Sequence, residues 1–349
     1  MIHSGLWRPA GRTVRGMVLP LAAASAAPLP GPVERTPDRA PGSARRTSSA
    51  DMLRPGGLGD PRLFVRATAR DVLTGADGDA RVADTARLDA EVRYDGTREL
   101  VALRSEPARP GTAGLLGRSV ASGFRAAADA ALAPGDGGGV LALMLDDLPV
   151  ALVIAGYAHA LTKELPPGAG RFRPPAGLCS GWREGGTMVS ALEAGGPMPL
   201  RPGPDAPAVS RADDPAAWQD TPVLSPLAMR RRRRIDVEPG AAGIRVDAMF
   251  RDTYADPDGR ETVLHEYELR AVLDPAGLAV REIVAQPRVL PAPECPFAAE
   301  SVLRLVGTPV DAVAEQVRRD LRGPSTCTHL NDLLRSLTGV PSLLALRGA

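Results

Sequence analysis

Two stretches of this chain read as one pattern written twice. Laid without a gap on residues 243–277, residues 62–96 are identical at ten of 35 positions, among them Arg70-Asp71 with Arg251-Asp252, Asp77-Gly78 with Asp258-Gly259, and Gly96 with Gly277. Composition alone would give roughly three matches, so an internal duplication is expected. The parallel extends outward with small shifts. "ARRTSSAD" precedes the first copy as "RRRRRID" precedes the second, and "LMLDDL" at 143–148 falls where "THLNDLL" falls.

The second copy carries the clearer structural signal. Ile244, Val246, Ala248, Phe250 and Tyr254 alternate with Arg245, Asp247, Arg251 and Thr253, as a half-buried strand requires. "DPDG" turns the chain, and Val263, His265, Tyr267, Leu269 and Ala271 share one face of the next strand. A further strand spans 278–285, and "RRIDVEP" supplies a first one. Helices follow: a short one over 298–306, one capped by Thr308 with Pro309 at its start, and a last one with Leu330, Leu333, Leu334 and Leu337 on one stripe. The expected fold is therefore α+β, made of two related units, each an antiparallel β-meander followed by helices, joined by a Pro/Gly-rich linker.

Gly and Pro contribute 37 and 35 of the 349 residues, so much of the length should be loop. The expected division is a disordered leader over 1–40, an N-terminal degenerate unit over 41–164, a Pro/Gly-rich linker with a Cys179-Trp182 cluster over 165–227, and a C-terminal unit over 228–340. The apolar run 140–161 is long enough to span a membrane, but Asp146, Asp147 and Pro149 interrupt it. A buried helix preceded by a turn is the expectation, with no membrane partner.

Three cysteines, an odd number, make a poor framework for secretory disulfides and fit a reducing compartment. A cytoplasmic location is expected. Arg8, Arg12 and Arg15 ahead of "GMVLPLAAASAAP" have the outline of an export signal, but Pro20 breaks its apolar core. The net charge is +1, and Lys163 is the single lysine among 42 basic residues, which gives no electrostatic case for a nucleic-acid partner.

At "DAMFRDTYADPDGRETVLHEY", "PECP", "VGTPVDAV" and "STCTHLNDLLRSL" the chain resembles the bacterial family catalogued as domain of unknown function 2889. The upstream "LMLDDLPVALVIAGYA" and "CSGWREGGTM" resemble its longer, two-unit members. The resemblance implies an outline and no activity.

Two functional classes follow from the residues. Cys327 and His329 flank Thr328 at the opening of the last helix, where an extended segment points both side chains the same way and the helix dipole favours thiolate. With His265 on the meander's apolar face and Cys295 held in "PECP", they form a set of four ligands able to hold zinc or iron. Cys327 and His329 are thus candidate catalytic residues, and Cys295, Cys327, His329 and His265 candidate metal ligands. The bland alternative makes Cys295 and Cys327 small buried residues and His265 a core histidine. The N-terminal copy has Asp84, Ala142 and Met144 where the C-terminal one has His265, Cys327 and His329, so the fold does not need the latter. The first class is a metal- or thiol-dependent enzyme or metal-binding protein acting on a small molecule or ion. The second is a non-catalytic protein that binds an acidic partner through Arg230, Arg231, Arg232, Arg233 and Arg234, a run otherwise expected to be a solvated face.

Overall fold

The computed structural model describes residues 28–133, 136–163 and 176–347. The signal-like run and the "PPGAGRFRPP" part of the linker lie outside the described residues.

Strands β1 (Ala44–Leu53), β2 (Arg62–Thr74), β3 (Ala80–Arg93) and β4 (Leu100–Glu106) form an antiparallel meander, followed by helices α1 (Phe124–Ala131) and α2 (Val140–Thr162). After a segment carrying the short helix α3 (Thr187–Glu193), the plan recurs. Strands β5 (Met229–Gly240), β6 (Gly243–Ala255), β7 (Glu261–Leu273) and β8 (Val280–Val289) lead through a 3₁₀ stretch, Cys295–Leu305, into α4 (Val313–Asp320), α5 (Thr328–Arg335) and α6 (Val340–Ala345). The fold is α+β. The two meanders are not separate: β1 pairs antiparallel with β5, giving one eight-stranded sheet of order β4-β3-β2-β1-β5-β6-β7-β8.

The halves mirror each other in detail about that seam. The register slips between Asp71 and Val72 in one half and between Asp252 and Thr253 in the other. Gly78 and Gly259 take positive φ, +92° and +85°, in the "DG" turns that join the paired strands. Arg98 and Leu278, both non-glycine, also have positive φ, and each carbonyl accepts from an amide downstream, Val120 and Val310 respectively.

The five arginines of β5 are all buried, contrary to the expectation of a solvated face. Strand alternation sends them to both sides of the sheet. Arg231 reaches Asp252 and Arg233 reaches Asp147 of α2 on the side covered by helices; Arg230, Arg232 and Arg234 reach Asp51, Glu261 and Asp247 on the other. Across the seam the pairing is reciprocal, Arg45 with Asp236 and Arg230 with Asp51, each at 2.5 Å. The strand therefore has no guanidinium free for an external acidic partner.

Other expectations change for related reasons. Helix α2 follows a turn at 136–138 and then runs on through Asp146, Asp147 and Pro149 without a break, and Arg125 Nε donates to the Asp146 carbonyl beside the bond that Pro149 cannot make. It is the one helix among the described residues long and apolar enough to cross a membrane, and 61% of its apolar window is buried inside the protein. Glu266, on the face of β7 opposite His265, is buried and takes Arg251 Nε, while its other oxygen accepts the Val33 amide. Residues 28–40 are thereby tied to the sheet, and within the expected linker Trp218 packs with Val209 and Met249 over the face away from the helices.

Breaking one buried partner leaves an uncompensated charge, which costs about 3–5 kcal/mol, whereas replacing both with apolar residues is often close to neutral. Arg230→Met should therefore lower the unfolding free energy by that amount in urea titrations, and adding Asp51→Leu should recover most of it. Additive losses in the double variant would refute coupling across the seam.

Candidate metal centre

Asp252 and His265 stand opposite each other on β6 and β7, at the register slip. Asp252 is fully buried and held by Arg231 through two hydrogen bonds, Nε to Oδ1 at 2.7 Å and Nη2 to Oδ2 at 3.0 Å. His265 Nδ1 has Asp252 Oδ2 as its one neighbour, in a long contact of 3.4 Å. Helix α5 crosses this part of the sheet on its leucine stripe and sets His329, in its first turn, directly over His265. The ring centroids are 3.9 Å apart and the planes 21° from parallel. His329 Nε2 is buried and has no hydrogen-bond partner. One donor atom from each of Asp252, His265 and His329 lies within 4.8 Å of the others. Among the described residues this is the single group of three or more His, Cys, Asp or Glu side chains brought so close.

The other half of the chain also contributes. Tyr157, two turns beyond Pro149 on α2, sets its ring edge to face against His265 at 4.9 Å and stands 6.3 Å from His329. Phe250 lies 6.4 Å from His329 with its ring 23° from parallel, and Arg231 stands 4.7 Å over the Phe250 ring.

Burial dominates the electrostatics. It opposes the charge of Asp252, but Arg231 outweighs it and holds the carboxyl well below its usual range. Burial lowers His265 despite the pull of Asp252, and lowers His329 further, helped by the adjacent His265 ring. Both imidazoles are therefore neutral beside an ionised carboxylate, the protonation states that metal ligation needs.

The expected ligand set is only half retained. His265 and His329 meet; Cys295 and Cys327 fall outside the group, and Asp252 takes their place. The cysteines gather elsewhere, around Ser180. Its amide donates to Thr326 O at 2.8 Å and its hydroxyl to Glu294 O, so the residue after Cys179 is tied to those before Cys327 and Cys295. Nor is Cys327 an acidic thiol: burial, reinforced by nearby Cys179, pushes it up to about 12. The first amides of α5 pull the other way and lose. Asp252 was legible, since it occupies an even position in the stripe Ile244, Val246, Ala248, Phe250, Tyr254, where a carboxylate has no reason to be unless paired. Tyr157 carried no local signal.

Residues 229–342 match the family described as Protein of unknown function (DUF2889), which assigns this segment to that family. No curated protein and no solved structure matches the chain.

A buried thiol that ionises near 12 is unreactive at neutral pH. Iodoacetamide at pH 8 should leave Cys327 unmodified in the folded protein and modify it fully in guanidinium, as read by peptide mass spectrometry. Rapid labelling of the native chain would restore the acidic-thiol reading.

Proposed function

We propose that the C-terminal half is a metal-binding unit whose ion, zinc or ferrous iron, is held by His265, His329 and Asp252, and that the protein is a metal-dependent enzyme acting on a small molecule. The observation that carries this is a buried imidazole nitrogen without a partner, His329 Nε2, stacked beside one held only by a long contact to a carboxylate, His265 Nδ1. Buried polar atoms are nearly always satisfied, and here two imidazoles with little to satisfy them share one sphere with a carboxylate.

The donor chemistry fits. Two neutral imidazoles and one carboxylate suit zinc or non-haem iron and leave coordination positions open, as catalytic sites do and closed structural sites do not. Such an ion supplies Lewis acidity to a bound oxygen. Two adjustments are required. Near-parallel rings cannot aim in-plane lone pairs at one point, so at least one histidine must turn. Arg231 must yield one oxygen of Asp252, and Asp332 Oδ2, 3.6 Å from Arg231 Nη1, offers it another partner.

The thiol branch loses support from the raised thiols, and the acidic-partner reading from the buried arginines. The mirrored halves support a tandem duplication in which only the second copy carries the histidines. Three buried, unpaired cysteines favour a cytoplasmic setting.

Elemental analysis of the purified full chain, after growth with zinc and iron and after anaerobic reconstitution with cobalt, tests the reading. About one ion per chain is expected. His265→Ala, His329→Ala and Asp252→Asn should lose it with their circular dichroism intact, whereas Cys295→Ser and Cys327→Ser should keep it. A folded wild-type chain with neither stoichiometric metal nor a visible cobalt band would overturn the proposal.

A further inference from the structure

The candidate centre stands at one end of a linked set of buried and half-buried charges. Arg231 holds Asp252 and reaches Asp332 at 3.6 Å. Asp332 takes Arg125 at 2.7 Å, and Arg125 and Arg335 share Asp146 at 3.1 and 2.5 Å. Arg233 joins the set through Asp147 at 2.5 Å and through the Asp332 carbonyl at 2.7 Å. Four arginines thus meet four aspartates, and with both imidazoles neutral the fixed charge around the centre sums to zero. Burial raises Asp147, and protonating it would only add to the positive side.

A divalent ion at His265, His329 and Asp252 therefore brings two positive charges that this neutral set does not offset. In a site of two histidines and one carboxylate, the carboxylate ordinarily cancels one of them. Here Arg231 has already claimed it, through both oxygens of Asp252. Such a charge held away from water is costly until anions reach it. The same guanidinium gives a second cue. Arg231 is 1% exposed and its Nη1 makes no hydrogen bond. The N–H that surrenders an Asp252 oxygen to the ion is then left beside that ion, a donor for an arriving anion.

Resting on the metal-binding reading of this site, we infer that the ion's open positions take a small dianion of the dicarboxylate class, chelating through two oxygens while Arg231 donates to one of them. Three protein ligands leave adjacent positions for a chelate, and two negative charges restore neutrality. The Tyr157 ring, packed at 4.9 Å on His265, keeps the molecule small.

Cobalt-loaded full chain, titrated at neutral pH with malonate, the monoanion acetate and the uncharged malonamide, tests this through the visible cobalt band. Malonate should shift the band with cobalt retained on the chain by elemental analysis, and should bind about tenfold or more tighter than acetate, since its added charge falls on the ion. Malonamide should leave the band unmoved. Arg231→Met lets Asp252 cancel one charge of the ion, so the preference for malonate over acetate should fall by about tenfold. Should that variant fail to fold, Arg125→Met, at the half-buried end of the set, should lower the preference by a smaller factor. A cobalt band that no anion moves would leave the metal reading standing and overturn the dianion, whereas no band at all would remove both. Equal binding of acetate and malonate, binding of malonamide, stripping of cobalt by malonate, or a preference unchanged in whichever variant folds would also overturn it. So would a phenolate absorption from Tyr157 rising as cobalt binds, because the protein would then supply the charge itself.

Discussion

The buried guanidinium–carboxylate pair is the interaction on which this structure rests. A central strand made of arginine is tolerable in a sheet interior only if each charge meets its counterpart at hydrogen-bonding distance, because desolvation otherwise exceeds what packing returns. That demand reaches well beyond β5. It recruits Asp51 from β1, Asp147 from α2 and Asp252 from β6, and so determines how the halves meet and where α2 lies. The candidate centre inherits its geometry from this: Arg231 fixes Asp252, and α2, anchored through Asp147, carries Tyr157 to the histidines.

Period and turn chemistry made much of the fold legible. The alternation in β6 and β7, the "DG" turns between paired strands and the leucine stripe of α5 all correspond to elements of the structure. Charge misled where period did not. A run of five arginines reads as solvated because most of its carboxylates lie far off in sequence, Asp51 179 residues before Arg230. Glu266 shows the same dependence, its partner Arg251 being on the neighbouring strand. At the site, His265 and His329 were recognisable as residues the fold did not need, whereas Asp252 was overlooked although it interrupts an apolar stripe. Tyr157 comes from the other half, a tertiary fact that no local pattern encodes.

One physical cause separates the two sets of candidate residues. Removal from water disfavours whichever form is charged. For a thiol the charged form is the reactive one, so burial silences Cys327 and Cys295. For an imidazole the uncharged form is the one with a lone pair to give, so the same burial readies His265 and His329.

The seam between β1 and β5 has a consequence for the origin of such a molecule. Each strand carries its own charge and countercharge, Arg45 with Asp51 and Arg230 with Asp236, and the antiparallel register crosses them. A strand so composed is complementary to itself reversed. Two unlinked copies of either half would present each other with the same exchange of arginine for aspartate along an open edge. The eight-stranded sheet thus has the form of a two-fold dimer held in one polypeptide, and its two halves are under no constraint to carry the same residues at the positions of His265 and His329.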